Sequence, residues 1–430
     1  MGLKLVVIGG GSSYTPELIA DLLEPGVRLQ VDEVALLDRN PAKLDLIAGV
    51  CRRLLAAAGR KMTIRPTGER DEALSGADFV LMQIRIGGLE ARVRDETLPM
   101  ELGMVGNETT GPGGFVCALR TVPVALDFAR AVERLAPRAC LLNLSNPAGI
   151  VTEALLNHTA VRTVGFCNIP INTTHAFARL LGAPPAGVRL DSFGLNHLSW
   201  VRNVFTDGKE LLAGLLAETR DRHSPLYAHG LVDDFMAPEH LRALGMISNW
   251  YLHYFYWPER VLEEDRKQNA KGTRDMQAEK RLAQIYASTG YTQEARDILS
   301  AKGGAQYYLP VLEVMDALGR DSGATVIADV RNGGALTDLP AEACVEIPAR
   351  FYRDRTEPLP VGPMPLSVRG LVQTVKAYEQ LTIQAALTGD RGTAIAALMA
   401  NPLCASYDKA TAFFDRVLAN ERAWLPQFHS

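Results

Sequence analysis

The residues best placed for chemistry fall into a few short clusters. Gly9-Gly10-Gly11-Ser12-Ser13-Tyr14-Thr15 follows the apolar run Leu3–Ile8 and leads into a helical pattern that begins at Glu17. A strand, a glycine turn and a helix start, in that order, offer backbone N–H groups to an anion and cradle a dinucleotide pyrophosphate. Gly9, Gly11, Ser12, Ser13, Tyr14 and Thr15 are therefore the candidate cofactor-binding residues. Tyr14 occupies the third glycine position of G-x-G-x-x-G, which points away from an ordinary dehydrogenase. Asp38 ends a second strand pattern 27 positions after Gly11. A carboxylate there binds the adenosine ribose hydroxyls and favours NAD over NADP; the alternative is a helix cap before Asn40-Pro41.

Further along, Arg85 and Arg92 leave the end of an apolar strand pattern, and guanidinium forks there match phosphate oxygens. The competing reading pairs Arg92 with Asp95 or Glu96 along a helix. The run Gly106-Asn107-Glu108-Thr109-Thr110-Gly111-Pro112-Gly113-Gly114 reads as flexible backbone that approaches a ligand closely. Asn146-Pro147 ends another strand, where the amide can meet sugar hydroxyls or a nicotinamide. Cys167 and His197 lie 30 residues apart. Each alone is ordinary core or surface material, but together at a sheet edge they could be two ligands of a divalent ion, the rest coming from substrate and water.

Apolar runs and helical patterns alternate from Leu3 to about residue 165, which predicts an α/β fold with a Rossmann-type, doubly wound parallel sheet. Strands are expected at Leu3–Ile8, Glu33–Leu37, Phe79–Ile84, Cys140–Leu144 and Thr163–Cys167, with helices at Glu17–Leu23, Pro41–Ala58 and near Val122–Leu135. Beyond residue 170 the pattern loosens into mixed α+β, with short strands near 191–193, 325–330 and 344–347 and a helical last sixty residues. The division expected is an NAD-binding domain over 1–168 and an α+β domain over 169–430 for substrate, metal and subunit contact, on a lactate/malate dehydrogenase-like plan. The charged stretch 263–281 reads as a solvated helix or a mobile flap.

Composition narrows the function classes. The 430 residues are 47% hydrophobic and 22% charged, and 45 basic against 49 acidic side chains give a net charge of −4. No basic run suggests nucleic acid or an anionic membrane, and no apolar stretch is long enough to span a bilayer. The six cysteines lack framework or CxxC spacing, so a reducing, cytoplasmic setting is expected.

The opening G-G-G-S-x-Y-T-P-E-L resembles that of the NAD- and divalent-metal-dependent glycoside hydrolases of family 4. So do the Arg85-Ile-Gly-Gly block with Arg92-x-x-Asp-Glu, the Glu108-Thr-x-Gly-Pro-Gly-Gly run and Asn146-Pro-Ala-Gly. Gly165-Phe-Cys-Asn168, Asn196-His-Leu-Ser-Trp200, Tyr251-Leu-x-Tyr254 and Arg331-Asn-Gly-Gly334 complete a match over essentially the whole chain. Asn107 stands where many members carry glutamine. The resemblance implies Cys167 and His197 as ligands of a metal expected to be Mn2+. Asn168, the residue that sorts substrates in this family, resembles the 6-phospho-β-glucosidase group rather than the phospho-α-glucosidase or α-galactosidase types.

The same resemblance implies transient oxidation of the sugar at C3 by NAD+, proton abstraction at C2, elimination of the aglycone and addition of water, which explains why no carboxylate pair is evident. It places the base at Tyr251, with Tyr254 one turn away as the fallback; the residues alone would read 251, 254 and 255 as an aromatic core stripe. Arg85, Arg92 and Arg260 are the candidates for the 6-phosphate, Arg92 foremost. Asn146 is assigned to sugar hydroxyls and Asn168 to the region of C2 and C3. The substrate expected is a phosphorylated disaccharide or β-glucoside, and the assembly a homodimer or homotetramer. A true dehydrogenase and a non-catalytic NAD- or sugar-binding protein are the competing classes.

Overall fold

The computed structural model describes residues 2–304 and 306–429. Six strands, β1 (Leu3–Ile8), β2 (Val31–Leu37), β3 (Thr63–Thr67), β4 (Phe79–Met82), β5 (Cys140–Asn143) and β6 (Arg162–Gly165), pair in parallel in the order β3-β2-β1-β4-β5-β6. This is the doubly wound arrangement that the alternating pattern predicts. Its central strands are buried on both faces, which is why Leu5–Ile8 of β1 and all of β4 read as unbroken apolar runs rather than alternating ones.

The chain next forms a hairpin of β7 (Val188–Leu195) and β8 (Leu198–Thr206), extended by β9 (Lys209–Glu210) and β10 (Ile247–Ser248). Three more strands, β11 (Ala324–Arg331), β12 (Cys344–Phe351) and β13 (Thr356–Pro358), return to the first sheet. β11 pairs antiparallel with β6 at Asp329 and Gly165, and the sheet reaches nine strands. No break therefore falls in the sheet at residue 168. Strands from the second half of the sequence complete it, and β12 also packs on β7, joining the two sheets.

Two expectations need correction. The glycines after residue 106 are not flexible backbone. Gly111–Leu135 is one helix, and its first turn is buried. A Cβ on Gly113 would sit 2.3 Å from the carbonyl oxygens of Asn107 and Asp95, and one on Gly114 would sit 2.6 Å from Thr109 carbon. These glycines let a helix start press on its own preceding loop. The charged stretch 263–281 is neither flap nor solvated face throughout. Its second half belongs to the helix Lys271–Ser288, which buries Gly272, Asp275, Leu282, Ile285 and Tyr286 against the first domain.

Candidate active site

The glycine turn closes on itself. The N–H groups of Gly9 and Gly10 both donate to the Leu37 carbonyl, and Ser12 N–H donates to the Gly9 carbonyl. Gly11 N–H donates to Asp38 Oδ2 at 3.0 Å, while Asp38 Oδ1 accepts from Asn40 N–H at 2.9 Å. The helix cap is Asn40, whose side chain accepts from Lys43 N–H, so Asp38 is not the cap. The turn is steric as well. Gly9 has φ of +86°, and a Cβ there would lie 2.6 Å from the Gln83 carbonyl oxygen.

The three residues after it face different ways. Ser13 Oγ donates to Glu279 at 2.6 Å, and Lys302 pairs with the same carboxylate. The Tyr14 ring packs at a tilt of 32° against Tyr307, centroids 5.1 Å apart, and lies under the Lys302 ammonium. Thr15 departs from the expectation: it is fully buried, its N–H donates to the Ser12 carbonyl, and its hydroxyl accepts from Gln83 Nε2 at 3.0 Å. Thr15 holds the turn to β4 instead of facing a ligand.

At the carboxyl ends of β6 and β7 the fold brings Cys167, His197 and Tyr251 together. Cys167 Sγ lies 3.4 Å from His197 Nε2. His197 sits in the two-residue turn between β7 and β8 with φ of +62°. Its ring stacks on Tyr251, centroids 3.8 Å apart and planes within 2°. Tyr251 precedes the short helix Leu252–Tyr256, and Tyr254 lies one turn on, its ring 5.9 Å away.

Hydrogen bonds fix the imidazole. Thr109 Oγ1 donates to Asn107 Oδ1 at 2.9 Å, an acceptor already held by the N–H groups of Thr109 and Thr110. The hydroxyl proton being used, Thr109 must accept from His197 Nδ1–H, 3.1 Å away. His197 is therefore the tautomer with a lone pair on Nε2, facing the sulfur. Burial keeps that imidazole neutral by pulling it down to about 4, against a smaller opposing pull from Glu108. Burial, with the charge of Glu346 behind it, holds the Cys167 thiol well above its ordinary range. A neutral imidazole and a thiol that needs a cation to ionise form a donor pair suited to a divalent ion. Among the described residues no group of three His, Cys, Asp or Glu side chains is arranged for a metal, so such a site has two protein ligands.

The arginines divide. Arg92 is buried, and its three nitrogens each meet a carboxylate: Glu96 at 2.8 Å, Asp275 at 2.8 Å, and Glu108. The i,i+4 ion pair with Glu96 prevails over the expected phosphate role, because the guanidinium is consumed in holding three acids together. Arg85 reaches Glu108 at 3.6 Å and keeps 31% of its side chain exposed, which leaves donors for an anion. Arg260 is not brought to this cluster. It lies on the exposed face of Pro258–Asp265, over the Phe235 ring and 3.4 Å from Glu264. Asn146 lies in the turn after β5 and Asn168 follows Cys167 after β6, and Asn168 Nδ2 donates to the Gly303 carbonyl at 2.9 Å.

Thr109, Glu108, Gln83 and Glu279 escaped individual notice in the sequence. The first two lie inside a recognised motif, but their partners are 88 and 16 residues away.

Comparison with known proteins bears out the family read from the motifs. The model described as family 4 glycosyl hydrolase matches residues 4–183, and that of the family 4 glycosyl hydrolase C-terminal domain matches residues 192–404. The chain belongs to glycosyl hydrolase family 4. It is 35% identical to the 6-phospho-beta-glucosidase of Escherichia coli over 99% of this chain and 97% of that protein. It is 30% identical to the 6-phospho-beta-glucosidase of Thermotoga maritima over 98% of this chain and 99% of that one. A structure of the Thermotoga maritima enzyme with manganese, NAD+ and glucose-6-phosphate matches with a TM-score of 0.88 at 28% identity, covering 98% of this chain and 99% of that chain. A lactate dehydrogenase from a deep-sea metagenome shares the fold, with a TM-score of 0.55 at 13% identity over 90% of this chain and 99% of that chain.

Proposed function

We propose that this chain is a 6-phospho-β-glucosidase that uses NAD+ and a divalent metal, the metal being Mn2+ by analogy with its Thermotoga maritima relative. The observation that carries the reading is the stack of Tyr251 on His197 with Cys167 Sγ at the imidazole's free nitrogen. When bound, NAD+ supplies a reversible hydride acceptor and the metal supplies Lewis acidity. The glycine turn and Asp38 would hold the nucleotide, and Cys167 and His197 would hold the metal.

The remaining work falls to the chain's side chains. Tyr251 Oη takes the proton from the sugar carbon beside the oxidised one. Burial and the nearby Glu108 charge hold its phenol above the ordinary value, and a cation bound beside the stack would favour the phenolate. Arg85 takes the 6-phosphate, and Asn146 and Asn168 orient the hydroxyls. A cytoplasmic location and a homo-oligomer accompany this reading. No helix among the described residues is long and apolar enough to cross a membrane. Leu366, Leu387, Met399 and Tyr407 on the carboxyl-terminal helices are exposed and available to a subunit contact.

The test is release of p-nitrophenol from p-nitrophenyl 6-phospho-β-glucoside with Mn2+, with and without NAD+. Turnover that requires both additions, without accumulation of absorbance at 340 nm, is expected. Undiminished cleavage by nucleotide-free protein in chelator overturns the reading, NADH formed in step with turnover makes the protein a dehydrogenase, and preference for the α-anomer moves it to another specificity of the family.

A further inference from the structure

β12 carries Glu346 directly opposite Asp329 of β11, on the strand that packs against β7. Glu346 is buried, and no salt bridge among the described residues reaches it. Its two oxygens are used separately. Oε2 accepts from Asn196 Nδ2 at 3.1 Å, and Oε1 accepts from Ser199 Oγ at 2.8 Å. Asn196 and Ser199 bracket His197, which holds a left-handed backbone conformation that a residue with a side chain rarely adopts unless its surroundings impose it.

A second branch leaves Ser199. Its hydroxyl proton is spent on Glu346, so it accepts from Asn249 Nδ2 at 3.2 Å. Asn249 N–H donates to the Ser199 carbonyl at 2.9 Å, and Asn249 Oδ1 accepts from Tyr251 N–H at 3.0 Å. One carboxylate thus grips the turn that carries the imidazole and, through two polar side chains, the backbone that carries the stacked phenol. The direction of donation matters. Asn196 and Ser199 both present donors, and a carboxyl group, with an oxygen free to accept on each side, satisfies both. An amide of the same shape must aim its NH2 at one of them.

We infer that Glu346 is a positioning residue: it sets the spacing between His197 and Tyr251, and so between metal ligand and base. The inference rests on the site reading proposed above for those two residues. A buried carboxylate without a cation is costly to keep for stability alone, and groups behind metal ligands commonly tune them through such hydrogen bonds.

The variant that tests this is Glu346→Gln, which conserves volume. Mn2+ affinity by calorimetry and kcat on the phosphoglucoside should each fall about 10- to 100-fold, with KM changed less than threefold and NAD+ affinity unchanged. The kinetic isotope effect from substrate deuterated at C2 should exceed that of the unaltered protein, because a displaced base makes proton abstraction more rate-limiting. Wild-type kcat, isotope effect and Mn2+ affinity overturn the inference, as does an equal loss of NAD+ affinity, which marks general disruption. Should Glu346→Gln not fold, Ser199→Ala and Asn196→Ala separate the branches. The first should lower kcat with Mn2+ affinity kept, the second should lower Mn2+ affinity, and identical behaviour of both overturns the relay. Inactivity of the unaltered protein on phosphoglucosides would instead sink the site reading itself.

Discussion

The ring of Tyr251 lies flat on the imidazole of His197, 3.8 Å between centroids. Removing the phenol oxygen while keeping the ring therefore separates chemistry from packing. Tyr251→Phe should lower kcat by roughly 10²- to 10⁴-fold, the usual range for a positioned acid or base, with thermal stability nearly unchanged. Tyr254→Phe, which loses only the bond from Asn107 Nδ2 at 2.9 Å, should cost less than tenfold. Steady-state kinetics on both variants decides between them; a larger loss in Tyr254→Phe reassigns the base.

Thr109 fixes the His197 tautomer by accepting at 3.1 Å. Thr109→Val removes the acceptor at constant shape, and Mn2+ binding should weaken by about 10- to 100-fold. Thr109→Ser should restore it. Calorimetric titration of metal into each protein is the measurement, and unchanged affinity in Thr109→Val would show that the tautomer is set otherwise.

Of the six cysteines, Cys167 is the half-buried one, and the other five are buried. In metal-free protein it should be the first to react with iodoacetamide. Because its thiol sits well above the usual range, the reaction should be slow at pH 7 and speed up toward pH 10. Mn2+ should protect it. Peptide mapping that finds label elsewhere first, or labelling indifferent to metal, contradicts the assignment.

Arg92 holds Glu96, Glu108 and Asp275. Arg92→Met takes the shared cation from three buried carboxylates, leaving Glu108 only Arg85 at 3.6 Å and Asp275 only Lys271 at 3.4 Å, and should cost about 3–5 kcal/mol of stability, the range for breaking a buried ion pair. Arg85→Gln should leave stability nearly unchanged and raise KM for the phosphorylated substrate with no effect on an unphosphorylated glucoside. Denaturant unfolding and a KM comparison test the pair. If Arg92→Met folds normally and loses only phosphate discrimination, the roles are reversed.

Glu17 is raised to about 8, by burial first and by Asp21 second, with partial relief from the Tyr307 backbone N–H. Below about pH 4.5 folded and unfolded chains both hold the proton and the group is neutral to stability. From there to about pH 8 the unfolded chain ionises first, which favours unfolding, and above pH 8 the penalty is complete. Glu17→Gln should therefore match the unaltered protein in Tm at pH 4.5 and exceed it increasingly up to pH 8. A Tm difference that is flat across that range would refute the burial argument.

The first sheet could be read from the chain because its signals are local. Parallel strands buried on both faces must be apolar throughout, and the glycine turn compresses its geometric demand into Gly9–Gly11. Asp38 follows β2 as the strand pattern predicts, and the hydrogen bond that Asn40 accepts from Lys43 N–H excludes the cap reading of Asp38. Other features misled for equally physical reasons. The stretch 263–281 has the composition of a solvated helix, yet Asp275 lies against Arg92, 183 residues earlier. A run rich in glycine looks flexible until its missing Cβ atoms prove to be packing space.

What the sequence alone determined was the alternating α/β order, the glycine turn and the pairing of Cys167 with His197 through recognisable motifs. These depend on short-range periodicity and on residue types that few other roles demand. Tertiary structure decided which arginine stays open to an anion, which nitrogen of His197 faces the sulfur, and that Glu346 grips both sides of the site. Hydrogen bonds between residues scores of positions apart depend on where strands and helices stack, and no local pattern encodes that.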